Sequence, residues 1–210
     1  KNLLKVLSGS SGILEHNLLT LDEMNNSPFP YMDKFIADKY FDGNPSPMDK
    51  YLKQAHIWSS RGCPFKCIFC VWPATMTGND PEGKNKRSVR QYSTDYISNL
   101  VLNWKNNFDF ECFYFDDDTF NIGNKHTENI SKVMKKLNTP WFAMCRADTV
   151  RKETWRVMKE NGCKGVKLGF ESGNQYVVDK IVNKHLDLEY SRNIVSFIRS
   201  LGMSVHGTFT

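Results

Sequence analysis

Long apolar runs are missing from this sequence: no stretch reaches the roughly 18 uninterrupted apolar residues that a membrane-crossing helix requires. Missing too is the succession of charged, apolar and small residues that marks a secretory leader. Cysteine is scarce, at six in 210 residues, which excludes a disulfide scaffold. Charge of one sign is also scarce. The net charge is only +5, and much of the excess lies in Lys84, Lys86, Arg87 and Arg90, beside Gly78, Pro81 and Gly83. That is the composition of a solvated loop more than of a nucleic-acid surface. Up to Lys53 periodicity is lacking as well, with turn residues at 8–12, 25–30 and 43–47 and short apolar runs between them. Residues 1–53 therefore read as a linker or an extended wrap. These absences predict a soluble, cytoplasmic protein with one domain, and the 40% of hydrophobic residues is enough for a core.

What is present begins at Ala55, where short apolar runs start to alternate with segments of helical period. Repeated strand-helix units build a parallel sheet, so the fold class is α/β. Five strands are predicted near residues 55–59, 111–115, 141–145, 166–170 and 203–207. Between them, Ile97, Leu100, Val101 and Trp104 keep the spacing of an amphipathic helix, with Ser93 and Thr94 as candidate N-caps. Ile130, Val133, Met134 and Leu137 repeat the pattern, a helix over 152–161 stops at Gly162, and one carrying Ile194, Phe197, Ile198 and Leu201 stops at Gly202. In barrels of parallel strands the chemistry gathers at the C-terminal strand ends, so the residues just after each strand are the candidates.

After the first strand comes Arg61-Gly62-Cys63-Pro64-Phe65-Lys66-Cys67-Ile68-Phe69-Cys70, which spaces its cysteines as C-x3-C-x2-C. Three thiols on so short a loop converge. A cubane iron-sulfur cluster held by three cysteines keeps one iron open for a small-molecule ligand, whereas structural zinc closes with four protein ligands. The zinc alternative would recruit His56 or Cys112 as the fourth. A ferredoxin-like electron carrier would need a fourth cysteine and a following proline, and Pro73 stands at the wrong distance. Cys112, Cys145 and Cys163 lie in or beside strands and read as small buried hydrophobes.

The cysteine run, with the aromatic Phe69 before its last member, resembles the hallmark of the radical S-adenosylmethionine (SAM) superfamily. Later segments resemble the superfamily's cobalamin-associated branch: Tyr114-Phe115-Asp116-Asp117-Asp118-Thr119-Phe120, Cys145-Arg146-Ala147-Asp148, Gly169-Phe170-Glu171-Ser172-Gly173 and His206-Gly207-Thr208-Phe209. The run from Cys70 to Gly78 looks closest to members linked with hopanoid lipid biosynthesis. The resemblance implies a partial (β/α)6 TIM-like barrel, here truncated after its fifth strand. It also divides the chain, with 1–53 following an upstream cobalamin-binding domain and 54–210 forming a C-terminally incomplete radical SAM core.

The resemblance further implies a [4Fe–4S] cluster on Cys63, Cys67 and Cys70, and reductive cleavage of SAM to a 5'-deoxyadenosyl radical. Methyl transfer is the favoured outcome in that branch, with ring contraction and cyclisation, related reactions that form or rearrange C–C bonds, as the alternatives. Among the residues quoted, Phe69, Asp116, Asp117, Asp118, Arg146, Glu171, Ser172, Gly207 and Phe209 are the candidates for the SAM pocket. Chemistry gives some of them roles. Glu171 can accept from both ribose hydroxyls, or pair with a lysine such as Lys167. Arg146 can fork onto the SAM carboxylate, or bridge Asp148. The Asp116 to Asp118 cluster would face the SAM amine, or hold magnesium, and Phe69 and Phe209 would flank the adenine. The expected partners are a small-molecule substrate, such as a lipid or natural product, and an electron donor such as flavodoxin or ferredoxin. An RNA methylthiotransferase would need a second cluster and an RNA-binding module, and neither is visible.

Overall fold

The computed structural model describes residues 2–9, 18–39, 53–71 and 87–210. Among the described residues three short helices come first, α1 (Asn2–Leu7), α2 (Leu21–Asn25) and α3 (Lys34–Ala37). The segment read as irregular thus contains helical turns, and a capping box explains one of them. Thr20 accepts from the Glu23 backbone N–H, while the Glu23 carboxylate takes the Thr20 N–H at 2.8 Å. Phe29 and Met32 pack on the main core, and Ala37 is buried in it.

Five strands then form one parallel sheet: β1 (Gln54–Ile57), β4 (Cys112–Phe115), β5 (Trp141–Cys145), β6 (Cys163–Glu171) and β7 (Ser204–Phe209), in the order β1-β4-β5-β6-β7. All five predicted strands are present, and β6 runs three residues earlier than its apolar core suggested. A two-stranded antiparallel ribbon, β2 (Ser60–Arg61) with β3 (Arg90–Gln91), was not predicted because it is too short to show a period. Four helices cover the sheet: α4 (Thr94–Phe108), α5 (Asn124–Lys136), α6 (Lys152–Glu160) and α7 (Leu188–Ser200). Ser93 caps α4 by accepting from Tyr96 N–H, and Asp187 does the same for α7 with Tyr190 N–H.

Strand alternation divides the sheet into two faces. Ala55, Ile57, Phe113, Phe115, Trp141, Ala143, Val166 and Leu168 point toward the helices and form the main core with Ile97, Ile130, Trp155 and Ile194. The residues between them point inward, where Cys112, Tyr114 and Phe142 form a small cluster flanked by Met144. Because every strand runs the same way, all C-terminal ends emerge at one rim, and the candidate residues follow them. Among the described residues no helix is long and apolar enough to cross a membrane.

Candidate functional site

The cysteine loop leaves β1 through β2 and turns at Gly62, whose φ of 92° is left-handed and whose added Cβ would run into the Ser88 carbonyl. Only glycine fits there. The loop is then held on three sides. Asp117, fully buried at the end of β4, accepts from Ser59 N–H at 3.1 Å, Ser59 Oγ at 2.9 Å and Ser60 Oγ at 2.5 Å. Asp118 accepts from Gly62 N–H at 2.9 Å, and the Thr119 hydroxyl lies 3.5 Å from Cys63 Sγ. From the other side Ile68 N–H donates to the Val182 carbonyl, and Asn183 Nδ2 donates to the Lys66 carbonyl, each at 2.9 Å. The third hold is Arg146, at the end of β5. Its guanidinium lies 3.7 Å over the Phe65 ring, forks onto Asp148 at 2.6 and 3.0 Å, and donates to the carbonyls of Lys184 and His185.

Of the two arginines read as loop charges, Arg87 donates to the Phe65 carbonyl and Arg90 to the Leu19 carbonyl. Both serve the fold. Lys84 and Lys86, and residues 72–78 of the run with the hopanoid-linked likeness, lie outside the described residues.

Cys63, Cys67 and Cys70 line one cavity of about 370 Å³ together with Phe69, Asp116, Asp117, Asp118, Thr119, Arg146, Glu171 and Lys184. Burial pushes the Cys67 thiol up, against a downward pull from the Lys184 and Arg146 charges. The three thiols are half-buried and unbridged. Among the described residues no three His, Cys, Asp or Glu side chains close on a point that a lone ion would occupy. Three cysteines leave a structural zinc one protein ligand short, whereas a cubane cluster held by three cysteines keeps one iron open. Cys112 cannot complete a zinc site at this loop, because it begins β4, at the opposite end of the sheet, where it accepts from Gln54 Nε2. His56 points at Asp116 Oδ2, 3.4 Å away.

The carboxylates divide by partner. Asp117 and Asp118 face the cysteine loop, so the aspartate triplet is in large part a clamp on that loop. Burial raises Asp117 to about 6, against the Ser60 and Ser59 hydrogen bonds, and raises Asp118 as well. Behind Asp117, His126 Nε2 stands 3.1 Å from Ser59 Oγ, and burial lowers that histidine to about 4.

Glu171 has a positive φ of 67° at the end of β6 and meets Lys184 Nζ at 2.6 Å and Thr210 Oγ1 at 3.0 Å. The lysine beside Glu171 is therefore Lys184 and not Lys167. Lys167 lies in mid-strand, its ammonium 5.3 Å from the Tyr114 ring centroid on the inner face. Sequence reading missed Lys184, which is carried by a one-turn π-helix (Val177–Ile181) and the left-handed residues Asn183 and His185.

Ser172, Gly207 and Phe209 are not brought to this cavity. They line a second one of about 360 Å³ between β7 and α7, where Phe209 stacks on Phe170 at 5.6 Å. Alternation along β7 explains the split, since Thr208 turns into the first cavity and its neighbours turn away. Cys112, Cys145 and Cys163 are buried as expected, although Cys145 also touches the cavity wall.

Comparison with known proteins identifies relatives of this chain. The cytidylyl-2-hydroxyethylphosphonate methyltransferase of Streptomyces wedmorensis is 29% identical over 194 residues, covering 89% of this chain and 34% of that protein. A bacteriochlorophyllide d C-12(1)-methyltransferase of Chlorobaculum tepidum is 24% identical over 163 residues, covering 76% and 34%. The chain thus spans about a third of the length of these relatives. Among solved structures, the radical SAM methyltransferase TsrM of Kitasatospora setae superposes with a TM-score of 0.60 at 15% identity, over 73% of this chain and 30% of that one. The cobalamin-dependent radical SAM enzyme OxsB gives 0.60 at 21% identity, over 73% and 23%. The family model of the radical SAM superfamily matches residues 59–210, from the cysteine loop through the last strand, and the chain belongs to that superfamily.

Proposed function

We propose that this chain is the catalytic core of a cobalamin-dependent methyltransferase that cleaves SAM reductively. The observation that carries this reading is the single cavity shared by Cys63, Cys67 and Cys70 with the strand-end residues Asp116, Arg146 and Glu171. A [4Fe–4S] cluster on the three cysteines would supply the electron that splits SAM into methionine and a 5'-deoxyadenosyl radical. Glu171 accepts from the ribose hydroxyls, and Lys184, already 2.6 Å from it, balances its charge. Phe69, which lines the cavity and is 53% exposed, covers the adenine. Asp117 and Arg146 hold the cysteine loop still, so that reduction occurs in a fixed geometry.

Methyl transfer is supported by the named activities of the relatives, and cobalamin by the OxsB and TsrM structures that contain it. In this reading cobalamin is held by parts of the protein outside these 210 residues. The substrate is a small molecule, and electrons come from a flavodoxin- or ferredoxin-type donor. The test is anaerobic reconstitution of the full-length protein with iron and sulfide, followed by reductant and methyl-labelled SAM. Formation of 5'-deoxyadenosine that depends on Cys63, Cys67 and Cys70 is the expected result. A cluster-loaded protein that forms none contradicts it.

A further inference from the structure

The inner face of the sheet carries charge that the cavity does not use. Lys167 and His206 are register partners on β6 and β7, and Met144 of β5 partners Lys167 on its other side. All three alternate with residues packed toward the helices, so all three face inward. The Lys167 side chain crosses β5 to bring its ammonium 5.3 Å from the Tyr114 ring centroid, and the Tyr114 ring lies 5.1 Å from that of His56. His206 and Lys167 thus lie one level nearer the strand ends than Tyr114 and His56 on this inner face, and the Lys167 side chain links the two levels. These residues adjoin the cysteine cavity, because Trp58, Asp116 and Met144 line that cavity from the same face.

The charged groups around this face mostly have a neighbour within reach. Asp116 faces His56, Glu171 faces Lys184, and Arg146 is matched by Asp148. Among the described residues no carboxylate lies within ion-pair distance of Lys167. Lys167 is half-buried with its ammonium toward an aromatic ring, which favours a cation but does not neutralise it. Beside it, the His206 imidazole makes no hydrogen bond among the described residues and can donate to the same ligand.

We propose that Lys167 and His206 bind an oxyanion of the substrate, a phosphate, phosphonate or carboxylate group, on the inner face of the sheet next to the SAM cavity. This deepens the function proposed above and rests on that cavity taking SAM. An anion fixed at Lys167 anchors one end of the substrate in the barrel interior and leaves the rest to extend toward the strand ends, where the radical forms. Lys167 and His206 are then residues that select for charged substrates.

The experiment uses full-length, cluster-loaded protein and methylphosphonate as the probe. Line broadening of its phosphorus resonance is followed during titration, and SAM binding is measured on the same sample. Wild-type protein is expected to broaden the resonance saturably. Lys167→Met should weaken binding by roughly tenfold or more, as for loss of one charge-assisted hydrogen bond, Lys167→Arg should retain it, and His206→Gln should weaken it less. SAM affinity should stay unchanged in all three. Absence of saturable broadening in wild-type protein, or equal broadening in Lys167→Met, overturns the inference. Failure of wild-type protein to bind SAM would instead overturn the function proposed above, while the phosphonate titration still decides this site.

Discussion

Lys184 Nζ and Glu171 Oε1 meet at 2.6 Å inside the cysteine cavity, with each side chain about 10% exposed. A pair so withdrawn from water depends on both members, because removing one leaves the other charge without compensation. Lys184→Met is expected to cost about 3 kcal/mol of stability. Glu171→Gln in the same background should restore part of that loss, giving a coupling of about 1–3 kcal/mol in a double-mutant cycle. Urea midpoints of the four proteins measure it, and additive losses would contradict the pairing.

Gly169 makes room for that pair. A Cβ at this position would stand 2.6 Å from Glu171 Oε1 and 2.8 Å from Lys184 Nζ. Both contacts are to the ends of flexible side chains, so the fold can yield while the pair cannot stay as it is. Gly169→Ala should therefore cost only about 1–2 kcal/mol, as for mild overpacking, yet weaken SAM binding to cluster-loaded protein. Calorimetric titration with SAM checks this, and unchanged affinity would show that the pair's geometry does not matter to SAM.

Buried Asp117 and partly buried His126, behind the cysteine loop, should push stability in opposite directions with pH. Burial raises Asp117 from 3.8 to about 6, so its contribution to stability is full below about pH 4 and is lost as pH rises through 6. Burial lowers His126 from 6.5 to about 4, so its contribution is present above 6.5 and is lost as pH falls through 4. Each amounts to roughly 3 kcal/mol, and in wild-type protein they offset one another between pH 4 and 6. Asp117→Asn should expose the histidine, with stability climbing from pH 4 to 6.5. His126→Gln should expose the aspartate, with stability falling from pH 4 to 6. Denaturant midpoints across this range give the slopes, and one common slope for all three proteins would sink the assignment.

The parts legible in the sequence are those governed by short-range pattern. Continuous apolar runs such as Cys112–Phe115 gave the strands, the stripe from Ile97 to Trp104 gave a helix, and the spacing of Cys63, Cys67 and Cys70 pointed to the loop that lines the strand-end cavity. The parts not legible depend on contacts between distant residues. Lys184 reaches Glu171 only because a π-helical turn and two left-handed residues fold the intervening chain back, and no periodicity encodes that return. Three consecutive aspartates read as a ligand cluster, yet alternation at the end of β4 buries Asp117 against Ser59 and Ser60. Alternation along β7 likewise turns Gly207 and Phe209, which motif likeness placed in the SAM pocket, away from the cavity that Thr208 lines.

In the proposed function one loop holds the metal and the strand cysteines do not. Burial pushes Cys163 to about 12 and Cys145 well above its usual value, so both remain thiols at neutral pH, while Cys112 is enclosed at the far end of β4. The most direct measurement is iron and sulfide content after anaerobic reconstitution of six single cysteine-to-alanine variants of the full-length protein. The expected outcome is about four irons from this site in wild-type protein, loss of those four in the variants of Cys63, Cys67 and Cys70, and retention in those of Cys112, Cys145 and Cys163. Zinc in place of iron, or a cluster that survives removal of Cys63, Cys67 or Cys70, would contradict the account.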